Sequence, residues 1–397
     1  MNRENDSCQP SVLIVDDNPK NLQILGVFLQ YEGLMVEFAL DGKSALNWLE
    51  KRNFDLILLD VMMPGMNGFE VCSLIKKNPF TREIPIIFIT AAADSESIIK
   101  GFKTGAVDYV TKPFIKSELL IRVKTQIEIK RGRDAIALNL KEIELKNKLI
   151  TSSIQYAEAI QTAIMKSSQT GLLLFPEHFC LFLPKDIVSG DFYWFHKIEN
   201  KLLIGVFDCT GHGIPGAFMS ILGVTLLNET VIREKIIDPH LILNRLREKI
   251  IEALGQKGIS PEVGDGMDGL IISYDPHRKK LVYSGAYNST YLLRNNEIIE
   301  LKGDKMPLSY HLTMTSFSSH EMKTESNDIL YLFTDGYIDQ FGGQPERKFR
   351  RSQLKELFVR NHNEPFQVQK QLLMDAYINW RGHEDQVDDI TIIGLKL

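Results

Sequence analysis

Carboxylates adjoin apolar runs at four places between residues 191 and 389 of this 397-residue chain. In "IGVFDCTGHGIPGAF" the run Ile204–Phe207 ends on Asp208, and a glycine-rich loop follows. "VSGDFYW" contributes Asp191, and "LYLFTDGYIDQFGG" contributes Asp335 after the run Ile329–Phe333. "QVDDITIIG" contributes Asp388 and Asp389 just before a last apolar run. Each acid adjoins what reads as a buried strand, and nearby glycine lets backbone approach closely. Hard oxygen donors without a Cys or His cluster suit Mg²⁺ or Mn²⁺. Two such ions can share one water, lower its pKa and aim it at phosphorus.

A second set lies in the first third. Asp16 and Asp17 follow the apolar run 12–15, Asp60 follows 56–59, Thr90 follows 84–89, and Lys112 comes just after 107–110. Singly, each reads as a helix cap or turn residue. Five such residues at the ends of four strands read instead as one rim. Three acids held together repel unless a cation sits between them.

The elements that must hold these residues follow from the apolar patterning. From residue 12 to about 125, short β-branched runs alternate with helical patterns such as Leu22, Leu25, Phe28 and Leu29. That alternation predicts a parallel sheet covered on both faces, with its chemistry beyond the C-terminal strand ends. From Ile115 to about Met165 there is no proline and one glycine, Gly132. Isoleucines recur every seven residues at Ile129, Ile136, Ile143 and Ile150, continued by Ala157 and Ile164. Four positions after each come Arg133, Leu140, Asn147, Ile154 and Gln161. This heptad predicts a parallel dimeric coiled coil in which Asn147 fixes register; a single amphipathic helix on its own domain is the alternative. After about Phe175, alternating and hairpin-like strands with helical stretches near 215–232, 238–254, 350–360 and 365–380 predict an α+β layout of antiparallel sheets with helices outside.

Composition sets the bounds. A chain of this length holds two or three domains. With 44% hydrophobic and 24% charged residues it has a globular profile. The net charge of −5, with no helix-turn-helix pattern and no basic C-terminal patch, argues against nucleic acid as partner. No apolar run approaches the roughly 18–20 residues that span a bilayer. The polar start MNRENDSCQPS lacks the apolar centre of a signal peptide. Cys8, Cys72, Cys180 and Cys209 show no paired spacing, so a cytoplasmic protein with reduced thiols is expected. Cys209 is a poor nucleophile candidate, since neither a general base nor a helix N-terminus is evident around it in the sequence.

The stretches "LIVDDNPKN", "LILLDVMMPGMNGFEV", "IPIIFITA" and "DYVTKPF" resemble the receiver domain of bacterial two-component response regulators over about residues 11–130. The resemblance implies a flavodoxin-like α/β fold with a five-stranded parallel sheet in the order 2-1-3-4-5. It implies Asp60 as phosphoacceptor, with Asp16, Asp17, Asp60 and the Met62 carbonyl holding Mg²⁺. It makes Thr90 and Lys112 the phosphoryl contacts, Tyr109 the aromatic that changes rotamer on activation, and a sensor histidine kinase the partner. The chemistry agrees: Asp60 is a carboxylate nucleophile, and Mg²⁺ with Lys112 would neutralise the incoming phosphoryl group.

"PKDIVSGDFYW", "DCTGHGIPGAFMS", "AYNSTYLL", "DKMPLS", "LYLFTDGYIDQFGG" and "EDQVDDITIIG" together resemble the SpoIIE-type branch of the metal-dependent (type 2C, PPM) serine/threonine protein phosphatases. The resemblance implies a β-sandwich flanked by helices over 170–397, after a helical linker at 115–165. It implies two Mn²⁺ or Mg²⁺ ions, with Asp191 and Asp208 as bridging or direct ligands and catalytic residues. The Cys209 carbonyl joins them, and Asp335 and Asp388 complete the second ion's ligands. Asp389 matches the pattern less well than the first acid of its pair. His212 either protonates the leaving group or holds a tight turn, and Asp268 either supports the site or caps a turn. The implied reaction is in-line attack of a metal-bridging hydroxide on phosphoserine or phosphothreonine, without a phosphoenzyme. The expectation is a dimeric response regulator whose output is protein dephosphorylation, on a substrate that family likeness suggests is a STAS-domain anti-sigma factor antagonist. The alternative is a non-catalytic phosphoprotein-binding adaptor, for which missing ligands would be the signature.

Overall fold

The computed structural model describes residues 9–91, 95–256, 265–312, 314–343 and 347–397, and for 95–97 and 167–169 the backbone alone. The chain divides into two compact units, Met1–Asn147 and Lys148–Leu397.

The first unit alternates strand and helix: β1 (Ser11–Val15), α1 (Pro19–Tyr31), β2 (Met35–Ala39), α2 (Gly42–Lys51), β3 (Leu56–Asp60), α3 (Gly68–Lys77), β4 (Ile86–Thr90), α4 (Ser95–Thr104) and β5 (Asp108–Thr111). All neighbouring strands are parallel, in the order β2-β1-β3-β4-β5. Every residue of β1, β3 and β4 is buried. Leu13, Val15, Ile57 and Leu59 pack on one face, and Val12, Ile14, Leu56 and Leu58 on the other. Continuous apolar strands are what a sheet covered on both faces requires. Helix starts are fixed locally: Asn18 caps α1 ahead of Pro19, and Asp41 and Asn67 form capping boxes for α2 and α3.

A single helix, α5 (Lys116–Leu172), has 57 residues, roughly 85 Å at 1.5 Å per residue. It runs past the expected linker end at 165. Its first turns belong to the first unit. Leu119, Val123 and Ile127 are buried there, Arg122 pairs with Asp108 at 2.7 Å, and Arg131 pairs with Asp55 at 3.3 Å. From Gly132 to Ser153 every residue is exposed. Its last turns belong to the second unit, where Gln161, Met165 and Leu172 are buried.

The second unit comprises β6 (His178–Leu183), β7 (Phe192–Ile198), β8 (Lys201–Cys209), α6 (Gly213–Asn228), α7 (Pro239–Ala253), β9 (Met267–Asp275), β10 (Lys280–Ala286), β11 (Ser289–Arg294), β12 (Glu297–Lys302), β13 (His320–Lys323), β14 (Ile329–Phe333), α8 (Gly336–Asp339), the two-residue strands β15 (Phe341–Gly342) and β16 (Arg347–Lys348), α9 (Arg351–Asn361), α10 (Phe366–Arg381) and β17 (Ile390–Lys396). Two antiparallel sheets form, β13-β10-β9-β8-β7 and β12-β11-β14-β17-β6. Their inner faces share one core, in which Ile204, Val206 and Ile272 of the first sheet meet Leu292, Leu332 and Ile393 of the second. The outer face of the first sheet packs on α6 and α7 through Trp194, Phe207, Leu227 and Leu246. The outer face of the second packs on α9 and α10 through Tyr331, Phe333, Phe358 and Leu373. Each sheet thus buries both faces, giving a helix–sheet–sheet–helix sandwich.

The helix Gly213–Arg233 is long and apolar enough to cross a membrane by length and composition. That corrects the expectation that nothing in the chain comes near such a length. Met219, Val224, Leu227 and Val231 are buried in the core over the first sheet, so here the segment serves as a core helix.

Candidate functional site

In the first unit the chemistry sits beyond the C-terminal strand ends, as parallel sheets dictate. Asp16 follows β1, Asp60 ends β3, Thr90 ends β4 and Lys112 follows β5. Ligand oxygens of Asp16, Asp17 and Asp60 lie within 4.8 Å of one another. Asp16 is fully buried and held from several sides. Asn21 Nδ2 donates to both its oxygens (3.0 and 2.9 Å) and the Asn18 amide donates at 2.8 Å. Lys112 Nζ bridges Asp16 Oδ2 (2.9 Å) and Asp60 Oδ2 (2.8 Å). Burial pushes the Asp60 carboxyl up, Lys112 pulls it back, and Asp16 adds a further upward push. Burial alone would depress Lys112, but its bonds to Asp60 and Asp16 outweigh that and leave it raised. One lysine against three carboxylates leaves negative charge that a hard divalent cation would balance, so the donor set fits Mg²⁺. The Met62 amide donates to Asp60 Oδ1 at 3.4 Å, and the Met62 side chain is exposed. Thr90 and Tyr109 line one small cavity with Val61, Phe88 and Phe102, and Phe102 meets the Tyr109 ring edge-on.

In the second unit the acids come from both sheets. Asp191 precedes β7 and Asp208 lies near the end of β8 in the first sheet; Asp335 follows β14 and Asp388 precedes β17 in the second. Asp208 is in hydrogen-bonding contact with Asp335 and within electrostatic reach of Asp191 and Asp388. Asp191 is 1% exposed, and its Oδ2 accepts from Thr334 Oγ1 (2.6 Å) and Thr391 Oγ1 (2.8 Å). The two threonines are tied together, since the Thr391 amide donates to Thr334 Oγ1 at 3.0 Å. Asp191 and Asp208 are both held well above the usual carboxylate range, by burial first. Like charges add to this, chiefly Asp389 at Asp191, and Asp191 and Asp335 at Asp208. Asp335 opens to solvent on one side, yet the protein packed beneath it raises its carboxyl too. No basic side chain bonds Asp191 or Asp208 among the described residues, and every donor is an oxygen. Such a set fits Mg²⁺ or Mn²⁺.

Backbone proximity explains the glycines. A Cβ on Gly190 would sit 2.6 Å from the Gly211 carbonyl, and one on Gly336 would collide with the Asp389 carbonyl. The loops carrying the acids can close together only where side chains are missing.

The remaining candidates separate by what they bond. Asp389 is buried, and its oxygens accept the Lys185 and Gly190 amides, each at 2.7 Å. Asp389 therefore ties down the loop before Asp191; both acids of the pair act on Asp191, Asp389 the more strongly, and Asp388 also reaches Asp208. Asp268 lies directly across the strand pair from Asp208, and burial, with Asp335 second, pushes it up to about 7. His212 Nδ1 is 2.7 Å from Asp186 Oδ2, at the start of α6. Cys209 is buried and its thiol is raised far above normal, by burial and then by Asp208 and Asp191. The expectation that no helix N-terminus lies near it is corrected, since α6 begins four residues on. Its inertness comes from burial among acids.

Two features lie outside the expectations from the sequence, the first because it depends on tertiary contacts and the second although it is a contiguous run. Gln161, on the second heptad seam of α5, is buried; its Nε2 donates to the Ser189 carbonyl (2.6 Å) and to Ser220 Oγ (2.8 Å), and its Oε1 accepts the Ser189 amide (3.2 Å). It fastens α5 and α6 to the loop that ends at Asp191. The second feature corrects the expectation of no basic C-terminal patch: Arg347, Lys348, Arg350 and Arg351 are all exposed beside α8.

Comparison with known proteins agrees with this layout. Residues 12–124 match the response regulator receiver domain, and residues 198–397 match stage II sporulation protein E (SpoIIE). The SiaA-PP2C domain of Pseudomonas aeruginosa superposes with a TM-score of 0.58 at 29% identity, covering 64% of this chain and 98% of that one. A probable cyclic di-GMP phosphodiesterase of Vibrio cholerae is 43% identical over 132 residues, 33% of this chain and 30% of that protein. The DNA-binding response regulator MtrA of Mycolicibacterium smegmatis is 34% identical over 140 residues, and the match spans 60% of its length. Those two relatives thus extend well beyond what this chain matches. Half of the chain follows the SpoIIE pattern to its last residue, behind a receiver sheet with its acidic rim complete, and the chain belongs to the SpoIIE family as a response regulator with a PP2C-type domain.

Proposed function

We propose that this chain is a response regulator whose output is metal-dependent dephosphorylation of phosphoserine or phosphothreonine on a protein, under control of phosphorylation at Asp60. The observation that carries this reading is the grouping of Asp191, Asp208, Asp335 and Asp388 at the strand ends of two sheets, within electrostatic reach of one another around Asp208, where among the described residues no basic side chain bonds Asp191 or Asp208 and Lys348 acts on Asp335 alone. Asp191, Asp208, Asp335, Asp388 and the Cys209 carbonyl would hold two Mn²⁺ or Mg²⁺ ions, which when bound supply an acidified water and offset phosphoryl charge. The chain's own part is positioning. Thr334 and Thr391 fix the Asp191 carboxylate, and Asp389 and Gln161 brace the loop ahead of it. In the receiver, Asp16, Asp17, Asp60 and the Met62 carbonyl would hold Mg²⁺, while Thr90, Lys112 and Tyr109 answer the phosphoryl group.

The chain would take its phosphoryl group from a sensor histidine kinase and act in the cytoplasm, on a substrate family likeness suggests is a STAS-domain anti-sigma factor antagonist. Its working domains would be a receiver at 11–130, a helical linker at 115–165 and a phosphatase at 170–397. It would work as a homodimer. Ile136, Ile143 and Ile150 are exposed on α5, and a helical stretch of 22 residues without packing is marginal in water. A binding-only adaptor would lack metal-ligating acids, whereas all those expected are present. The test is Mn²⁺-dependent release of phosphate from a phosphoserine substrate by the full chain, lost in Asp208→Asn.

A further inference from the structure

The chain has a net charge of −5, yet residues 347–360, "RKFRRSQLKELFVR", hold six basic residues and one acid, Glu356. Four of the basic residues, Arg347, Lys348, Arg350 and Arg351, are exposed around one buried anchor, Phe349. Phe349 packs edge-on against Tyr337 (5.0 Å) and Trp380 (5.3 Å). The Phe349 and Arg350 amides bond the carbonyls of Gln340 (3.0 Å) and Ile338 (3.1 Å). This segment is therefore fastened to α8, the single turn that Asp335 caps. Lys348 Nζ lies 2.8 Å from Asp339 Oδ2 at the far end of that turn, about 6 Å of helix from Asp335. Arg347 stacks over Trp380, and Arg351 approaches Glu300 at 3.9 Å. Among the described residues, Arg347 and Arg350 have no acidic partner.

Resting on the phosphatase reading above, we infer that Arg347, Lys348, Arg350 and Arg351 form a docking surface for an acidic segment of the phosphoprotein substrate, beside the phosphorylated residue. An extended chain advances about 3.3 Å per residue, so acidic side chains two to four positions from the phosphoserine would lie about 7–13 Å from it, over these cations. Exposed cations near a site steer an anionic partner and set specificity. The acids Asp339 and Glu300 interleave with the patch, and the aspartate cluster adjoins it. That arrangement disfavours a continuous polyanion such as nucleic acid and suits a peptide with a few carboxylates.

The experiment uses the full chain with Mn²⁺ and two phosphoserine peptides. They are identical except for Asp/Glu or Asn/Gln at positions two to four on either side. The quantity read is the ratio of kcat/KM between them. Because both values come from one preparation, the ratio does not depend on the fraction folded. The wild type is expected to prefer the acidic peptide by about tenfold at low salt, less at high salt. R347Q/R350Q brings the ratio toward one, and R347E/R350E inverts it. A wild-type ratio of one, or a ratio that survives both variants, overturns the docking surface while leaving the phosphatase reading in place. If the wild type hydrolyses neither peptide nor p-nitrophenyl phosphate, with or without beryllofluoride, the phosphatase reading falls and the docking surface with it.

Discussion

Two threonines decide how Asp191 is presented. Both donate to the same carboxylate oxygen, Oδ2, but only Thr334 also accepts a buried amide, that of Thr391. Thr391→Val removes one donor to a buried carboxylate. Thr334→Val removes the donor and also strands the amide. The second is expected to cost about 1–3 kcal/mol more in unfolding free energy. Both variants should need roughly 10–100 times more Mn²⁺ for half-maximal activity, the usual penalty for losing a ligand's supporting bond. Equal stability in the two variants would contradict the bonding described. The raised carboxyls add a pH signature. A group whose folded pKa lies above its unfolded value stabilises the fold below the unfolded value and loses that contribution as pH rises through the folded one. For Asp268 the window runs from about pH 4 to about 7, and Asp191, Asp208 and Asp335 act in the same direction. In EDTA the unfolding midpoint of the second unit should therefore fall as pH rises from about 4 to about 7. The rise in midpoint caused by Mn²⁺ should grow over the same range, because binding releases protons. A Mn²⁺ effect that shrinks with pH would count against these acids as ligands. The acids themselves are legible in the sequence because each adjoins an apolar run, Asp208 and Asp335 after one and Asp191 and Asp388 before one. The division of labour between Asp388 and Asp389 is not, because it depends on backbone amides of Lys185 and Gly190, about 200 residues away.

At the level of elements, the helix α5 carries the open question of coupling. Its seam residue Gln161 is consumed by the second unit, Leu119, Val123 and Ile127 by the first, and Ile136, Ile143 and Ile150 are left exposed between. Ile143→Asp places a charge on that seam. It should shift the full chain from dimer to monomer in sedimentation and remove the response of activity to Asp60 modification. A dimer that persists, with the response intact, would sink the coiled-coil account. The heptad is readable because seven-residue spacing survives without proline. The sheets of the second unit are less so. Strand β7 and its hairpin to β8 escape a sequence reading because the turn at Glu199 and Asn200 has no glycine, and Glu199 itself takes a positive φ of 52°. Strand β13, "HEMK", is a mostly exposed edge with no apolar alternation to mark it. In the first unit β1, β3 and β4 are continuous apolar runs that end at or just before a functional residue, so the parallel sheet and its rim are legible, and the order β2-β1-β3-β4-β5 agrees with what the receiver resemblance implies.

On the proposed reading the chain would join two sites that each take a divalent cation and each handle a phosphoryl group, one by accepting it on Asp60 and one by hydrolysing it at Asp208. The account stands on the second activity and on its control by the first. The most direct measurement is hydrolysis of p-nitrophenyl phosphate and of a phosphoserine protein by the full chain in Mn²⁺, with and without beryllofluoride to mimic phosphorylated Asp60. Asp208→Asn and Asp60→Asn are measured alongside. The account expects turnover that vanishes in EDTA, falls at least about 100-fold in Asp208→Asn, and changes with beryllofluoride in the wild type but not in Asp60→Asn. Turnover that survives in EDTA or in Asp208→Asn, or none on the phosphoserine protein under any condition, would contradict it.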